Sequence, residues 1–153
     1  MNIVNILFIF IIFSFIGWII ELIYRSFSHK KVVNPGFLTG PYLPIYGYGS
    51  LMIYFITLYT NNLNVFWSII LYFISLGLLE FLTGYLFLKY FKIRLWDYSN
   101  DFMNIKGHIC LEFMIYWTFL ALFFKYYIFP KIYNILNNSF FSRTHVFFVG
   151  FVY

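Results

Sequence analysis

Charged residues are scarce in this chain, and it has a single cysteine. Only 10% of the residues are charged and 63% are hydrophobic, against about 25% and 45–50% in an average soluble domain. The 153 residues leave no room for a soluble domain beside a membrane part, so we predict one membrane domain. The lone Cys110 excludes an internal disulfide. We interpret it as a small packing residue.

Sequence motifs of known catalytic sites are also missing. The chain has no GxSxG, HExxH or Walker A motif, so it cannot itself be the ATPase of a pump. His108 and Glu112 are four residues apart and could hold a metal ion from one helical face, but two ligands define no coordination geometry. We therefore expect no metal and no cofactor.

Most of the sequence consists of long apolar runs. A helix needs about 20 mostly apolar residues to span a bilayer, and four runs meet or approach this length: Ile3–Tyr24, Tyr42–Tyr59, Val65–Leu88 and Ile109–Ile128, the last stopped by Pro130. They predict an all-α, polytopic transmembrane helix bundle over residues 1–130. The first run lacks a preceding basic residue and a following cleavage site, so we interpret it as a retained helix rather than a signal peptide.

The tail, residues 131–153, does not fit a complete span. Polar residues interrupt it, and its apolar end, His145–Tyr153, has only nine residues. This length is too short to cross a bilayer as a helix. We predict either the beginning of a short or truncated fifth helix or a segment in the membrane interface.

The basic residues predict an orientation. Seven of the ten Lys and Arg residues lie in the links Arg25–Pro41 and Lys89–Lys106. The positive-inside rule places these links in the cytoplasm and the N-terminus outside. The other three basic residues would lie outside: Lys125, Lys131 and Arg143. We attribute the net charge of +5 to links that face anionic lipid, so we expect membrane lipids and no nucleic acid as partners.

The three glutamates lie inside the apolar runs, where a carboxylate costs roughly 2.5–3.5 kcal/mol to insert. Each run carries one small or polar stripe at helical spacing. The stripes are Ser14, Gly17 and Glu21; Gly47, Ser50, Tyr54 and Thr57; Gly77, Glu80, Thr83 and Gly84; and His108, Glu112 and Tyr116.

Two interpretations of the stripes remain open. Small residues let helices approach closely, and polar side chains hydrogen-bond across helices, but glutamine would pack as well as glutamate at lower cost. The alternative is a shared polar cavity, with Glu80 near mid-membrane and with Glu21 and Glu112 closer to the cytoplasm. A simpler interpretation of Glu21 is a salt bridge to Arg25, one helical turn away.

Three segments carry a family resemblance: Gly36–Gly49 (GFLTGPYLPIYGYG), Glu80–Gly84 (EFLTG), and Trp96–Ser99 (WDYS) with Asn104–Glu112 (NIKGHICLE) and Trp117. Over roughly Phe15–Pro130, the chain resembles the bacterial family called putative ABC-transporter type IV, the CmpB-like permeases. The resemblance implies a multi-pass protein of the bacterial inner membrane with a permease role. Members usually continue beyond the point where this chain stops, which implies a fragment or a short form.

The Gly36–Gly49 and Trp96–Ser99 segments also have a physical interpretation. Pro44 and Gly47 break helices and let backbones approach closely, so their segment could bind a ligand or simply form a tight turn. Trp96 and Tyr98 suit the membrane interface. Asp97 could pair with Arg94, cap the following turn or reach the polar space.

The resulting hypothesis is a transporter-type membrane subunit that needs a homo-oligomer, an ATPase or another membrane protein as its partner. Its substrate or ion pathway would include these residues: Glu21, Glu80, Glu112, Asp97, His108, Tyr98, Pro44 and Gly47. One alternative is a small membrane enzyme acting on lipid or cell-envelope intermediates, with Asp97, His108 and Glu112 as acid, base or metal ligands. Another is a non-catalytic scaffold or regulator.

Overall fold

Helices account for most of the part of the chain that the computed structural model describes, which is residues 3–35 and 37–137. The helices are α1 (Ile3–His29), α2 (Pro44–Thr60), α3 (Val65–Leu86), α4 (Leu111–Phe123) and α5 (Phe129–Asn137). A π-helical turn, Phe87–Phe91, prolongs α3, and a second one, Phe124–Ile128, joins α4 to α5. The predicted apolar end of the tail, His145–Tyr153, lies outside the described residues.

Among the described residues, three helical stretches are long and apolar enough to cross a membrane: Ile3–His29, Val65–Phe91 and Leu111–Asn137. Each has 27 residues, about 40 Å of helix, which exceeds the roughly 30 Å of a bilayer core. The described residues contain an isolated bridge between Ile105 and Ile109 but no strand. The predicted all-α class is confirmed.

The predicted second span, Tyr42–Tyr59, forms a shorter helix than the other three. Helix α2 has 17 residues, about 25 Å, so a fourth span remains a prediction. Pro44 sets its start, because proline suits the first turn, where no backbone N–H is needed. The Leu43 amide just before it donates to the carbonyl oxygen of Ser14 at 2.9 Å. Helix α2 therefore begins beside the middle of α1 and not at its end.

Pro130 does not end the fourth predicted span. Helix α5 contains Pro130 as its second residue and runs on to Asn137. A proline ring inside a regular helix removes one hydrogen bond and collides with the preceding turn. The π-helical turn Phe124–Ile128 lies directly before it, and such a wider turn accommodates a break in the regular bond pattern. The expectation that Pro130 stops the helix was therefore wrong.

The first four helices pack in sequence order, α1 against α2, α2 against α3 and α3 against α4. The stripe predicted on α2 faces this interior, because Gly47, Ser50, Tyr54 and Thr57 are all buried. The serine and threonine hydroxyls are hydrogen-bonded: Ser50 donates to the Gly47 carbonyl at 2.8 Å, and the Thr57 hydroxyl bonds that of Tyr72 on α3 at 2.7 Å. Helix packing accounts for this stripe.

The stripe predicted on the fourth run was wrong in part. Helix α4 begins at Leu111, after Cys110 in an extended conformation with φ −142° and ψ 160°. His108 consequently precedes the helix and does not share its face with Glu112 and Tyr116. Glu112 and Tyr116 do lie one turn apart within the helix, and the Tyr116 hydroxyl donates a hydrogen bond to Glu112 Oε1 at 2.6 Å.

Lys125 is buried in the opposite end of the bundle from the basic links. Its side chain is 8% exposed, and its ammonium group donates to Ser68 Oγ at 2.7 Å and to the Thr60 carbonyl at 3.3 Å. It is thus a packed helix residue rather than a loop charge. Of the other two basic residues predicted outside, Lys131 is exposed and Arg143 lies beyond the described part.

We expect Gly47→Ala to destabilise the bundle. A Cβ atom at Gly47 would lie 2.3 Å from Ser14 Oγ and 2.6 Å from a ring carbon of Phe10, so α1 and α2 would have to move apart. Overpacking of this kind costs about 1–3 kcal/mol. Thermal unfolding in detergent measures the loss.

Gly49→Ala is the matched control, two residues further along α2. Its Cβ would meet nothing closer than 3.7 Å, and alanine favours helix over glycine by about 1 kcal/mol. We expect unchanged or higher stability. Equal losses in the two variants would contradict the close approach of α1 and α2.

Candidate functional site

A groove of about 900 Å³ lies at the end of the bundle that carries the basic links. Its floor is the beginning of α2, and its walls come from the last turns of α1 and α3, the first turns of α4 and both links. Most of the wall is apolar. The polar side chains in it include Glu21, Arg25, Ser28, His29, Tyr46, Glu80, Thr83, Asp97, Tyr98 and Trp117.

Glu80 is the most buried carboxylate of the groove, with 5% of its surface exposed. The Tyr98 hydroxyl donates to its Oε1 at 2.9 Å, and the Trp117 indole donates to its Oε2 at 3.1 Å. In residues 3–35 and 37–137, no basic side chain forms an ion pair with Glu80. The carboxylate is thus hydrogen-bonded on both oxygens and has no neutralising cation in the described part.

Glu21 lies on the facing helix α1 and is bound differently. Its Oε1 accepts from Arg25 Nε at 2.8 Å, which is the one-turn salt bridge that the sequence offered. Its Oε2 accepts from the hydroxyl of Tyr46 at 2.9 Å. Arg25 therefore neutralises Glu21, while Tyr46 ties it to the floor of the groove.

Two aromatic rings connect the glutamates. The rings of Tyr46 and Trp117 meet edge to face, with centroids 5.4 Å apart. Contacts therefore run from Glu21 through these rings to Glu80. Sequence reasoning did not place Tyr46 or Trp117 in the site. The available signal was chemical, since buried Tyr and Trp usually bond their single polar atom to a partner.

A second cavity, of about 270 Å³, lies deeper between the helices. Its lining is almost entirely apolar, and it shares Tyr46, Glu80 and Trp117 with the groove. Phe13 and Phe124, whose rings are 5.2 Å apart, form part of its far wall. Ile20, Ile45 and Leu120 also line both, so Tyr46, Glu80 and Trp117 are the polar side chains that separate a partly polar groove from an apolar cavity.

The WDYS and NIKGH segments fold against each other and position Tyr98. The Tyr98 amide donates to the Gly107 carbonyl at 3.0 Å, and the Trp96 indole donates to the His108 carbonyl at 2.8 Å. Gly107 has φ +70°, and a Cβ there would lie 2.5 Å from Ser99 Oγ. Glycine fits this left-handed conformation without strain. The link is therefore a defined structure that delivers one hydroxyl to Glu80.

Asp97 and Tyr98, both in this link, differ in their ionisation. Hydrogen bonds from the side chain and the amide of Ser99, together with the Arg94 ion pair, lower the pKa of Asp97. Asp97 therefore pairs with Arg94 and also bonds the following turn. Burial and the neighbouring Glu80 raise the pKa of Tyr98 well above its ordinary value. The tyrosine keeps its proton and acts as the donor to Glu80.

Two other predicted residues, Pro44 and Gly47, have different positions. Pro44 lines the groove. Gly47 lies outside both cavity linings and faces Ser14 and Phe10 of α1.

His108 and Glu112 also lie outside the groove lining. His108 packs against the rings of Phe81 and Tyr85, with centroids 5.7 and 6.2 Å away. Burial lowers the pKa of His108, which favours the neutral imidazole. Glu112 is exposed and accepts a bond from Tyr116. In the described part of the chain, no three His, Cys, Asp or Glu side chains are grouped so that they could hold a metal ion.

Comparison with known proteins places the chain in a family. The sequence profile of the family described as Putative ABC-transporter type IV matches residues 8–153. No curated protein and no solved structure matches the chain. The match covers nearly the whole sequence and confirms the resemblance carried by the Gly36–Gly49 and WDYS…NIKGHICLE segments. The chain therefore belongs to the putative ABC-transporter type IV family.

Proposed function

We propose that the chain is a transporter-type permease subunit of the bacterial inner membrane, with a polar cavity at membrane depth. The groove is that cavity, and its pathway residues are Glu21, Glu80, Asp97, Tyr98 and Pro44, joined by Tyr46 and Trp117. His108, Glu112 and Gly47 are not included, because they do not line it.

The observation that carries this proposal is the position of Glu80. A carboxylate inside a spanning helix is costly, and this one is 95% shielded yet forms no ion pair in the part of the chain described. A glutamine could keep both contacts at lower cost, because its oxygen can accept from Trp117 and its amide nitrogen can donate to the Tyr98 hydroxyl. Retaining the acid is consistent with a role for its charge, as in an ion or substrate pathway.

The short helix α2 also supports a pathway. A helix that begins beside the middle of its neighbour leaves room above its first turn. Irregular backbone at membrane depth is tolerated where it is buried or lines a wet cavity. Discontinuous helices of transporters form binding sites in the same way.

We propose that the groove faces the cytoplasm and that the N-terminus is outside. The seven basic residues of the two links lie at the groove end, and Lys125 at the other end is buried. This distribution is the positive-inside pattern. The described part of the chain has three long apolar helices, which make a thin bundle, so we propose that a second copy, an ATPase or another membrane protein completes the pathway.

A polar groove should be open to water-soluble reagents. In a Cys110→Ser background, which has no other cysteine, we expect Thr83→Cys to react with a charged methanethiosulfonate at least about ten times faster than Leu82→Cys, because the reactive thiolate forms readily only near water. Labelling of oriented membrane vesicles from each face measures the rates and shows which face the groove opens to.

The two positions form a matched pair. They are adjacent in α3, so their depths differ by only about 1.5 Å. Thr83 lines the groove, whereas Leu82 does not and is 43% exposed on the outer surface. Equal slow labelling at both positions would mean that the groove is filled with lipid. Labelling of Thr83→Cys from the outer face only would reverse the proposed orientation.

The permease role predicts that Glu80→Gln abolishes function without unfolding the protein. The glutamine oxygen can still accept from Trp117, and its amide nitrogen can donate to the Tyr98 hydroxyl, so we expect thermal stability and membrane yield to be unchanged or higher. Growth of a strain that depends on this chain should nevertheless be lost, because the negative charge is gone. Complementation of a deletion strain, with yield checked in the same membranes, is the measurement.

Glu112→Gln is the control for this experiment. It removes the same charge from the same end of the bundle, but Glu112 does not line the groove. We expect it to complement growth normally. If Glu80→Gln also complements, Glu80 is a structural hydrogen-bonding residue, and the permease proposal loses its main physical support.

A further inference from the structure

We infer that the groove binds a hydrophobic organic cation, an ammonium or phosphonium group attached to apolar substituents, with Glu80 as its counter-ion. This inference rests on the proposed function and names the ligand class of the same cavity. It is carried by the charges of the wall, the aromatic rings around Glu80 and the apolar cavity behind them.

The charges of the wall leave one unbalanced carboxylate. Arg25 neutralises Glu21 and Arg94 neutralises Asp97, whereas Glu80 has no basic partner among the residues described. The amino end of α2 adds a partial positive charge of about half a unit, which is less than the full charge of the carboxylate. An anionic ligand would meet this carboxylate, whereas a cationic ligand would neutralise it.

Aromatic rings surround the position that such a cation would occupy. Trp117 and Tyr98 both bond Glu80, and Tyr46 lies against Trp117. The ring of Phe113 stacks on Tyr98 at 4.6 Å, and all four residues line the groove. The faces of such rings attract cations, and aromatic walls combined with a carboxylate suit quaternary and other organic cations.

The neighbouring cavity explains why the cation should be hydrophobic. It is apolar, has a volume of about 270 Å³ and borders the groove at Tyr46, Glu80 and Trp117. A ligand whose charge lies at Glu80 could place an apolar substituent there and remove both surfaces from water. Burial of that kind contributes about 25 cal/mol per Å². A small hydrated metal cation would gain nothing from this arrangement.

Tetraphenylphosphonium and tetraphenylborate test the inference, because they share one shape and carry opposite charges. We expect the purified full chain in dodecyl maltoside to bind tritiated tetraphenylphosphonium, with tetraphenylborate failing to compete. Glu80→Gln should weaken binding by about tenfold or more, the effect of 1.4 kcal/mol. Glu112→Gln should bind like the original chain. Equilibrium dialysis, with detergent-only samples as the blank, measures the constants.

Equal binding by the original chain and Glu80→Gln would overturn the inference, as would preference for the borate or no binding at all. Added short-chain phosphatidylethanolamine tests one source of the natural cation: competition indicates this lipid headgroup, and its absence excludes this headgroup; both results agree with the inference. Loss of growth without cation binding would leave the permease proposal standing and refute only the ligand class. Cation binding with normal growth of Glu80→Gln would refute the permease proposal and leave the ligand class standing.

Discussion

The rest of the groove depends on how the Glu80 carboxylate is held. One oxygen accepts from Tyr98 in the link before α4 and the other from Trp117 within α4, so a single side chain of α3 fixes both the link and the helix. Such charge-assisted bonds are stronger than neutral ones and grow stronger in low-dielectric surroundings. The ring of Trp117 in turn meets Tyr46, which bonds Glu21. Five segments of the chain, α1 to α4 and the link before α4, are thereby joined around one carboxylate.

The short helix α2 makes room for this arrangement. It begins at Pro44, beside Ser14 of α1, and the groove lies against its first residues. The opposite end of the bundle is closed by hydroxyl groups and by the buried Lys125. The protein therefore has an open, partly polar end and a closed end, which is the asymmetry expected of a membrane protein that receives a ligand from one side.

The long helices could be predicted from the sequence because span length and hydrophobicity are local properties. The Glu21–Arg25 pair could be predicted as well, since one helical turn separates the two residues. The partners of Glu80 could not, because Tyr98 and Trp117 are 18 and 37 residues away and their approach depends on the folded link. His108 was misplaced because the helix begins at Leu111, three residues later than its spacing suggested.

The measurement that tests the central claim most directly is the energetic coupling between Glu80 and Tyr98. The free energies of unfolding of Glu80→Leu, Tyr98→Phe and the double variant form a cycle with the original chain, because leucine removes the acceptor of the Tyr98 hydroxyl. A buried hydrogen bond to a charged group predicts a coupling of about 1–2 kcal/mol, because Tyr98→Phe leaves a carboxylate oxygen unpaired that is absent from the double variant. Additive effects, within about 0.3 kcal/mol, would show that Glu80 does not hold the link in place.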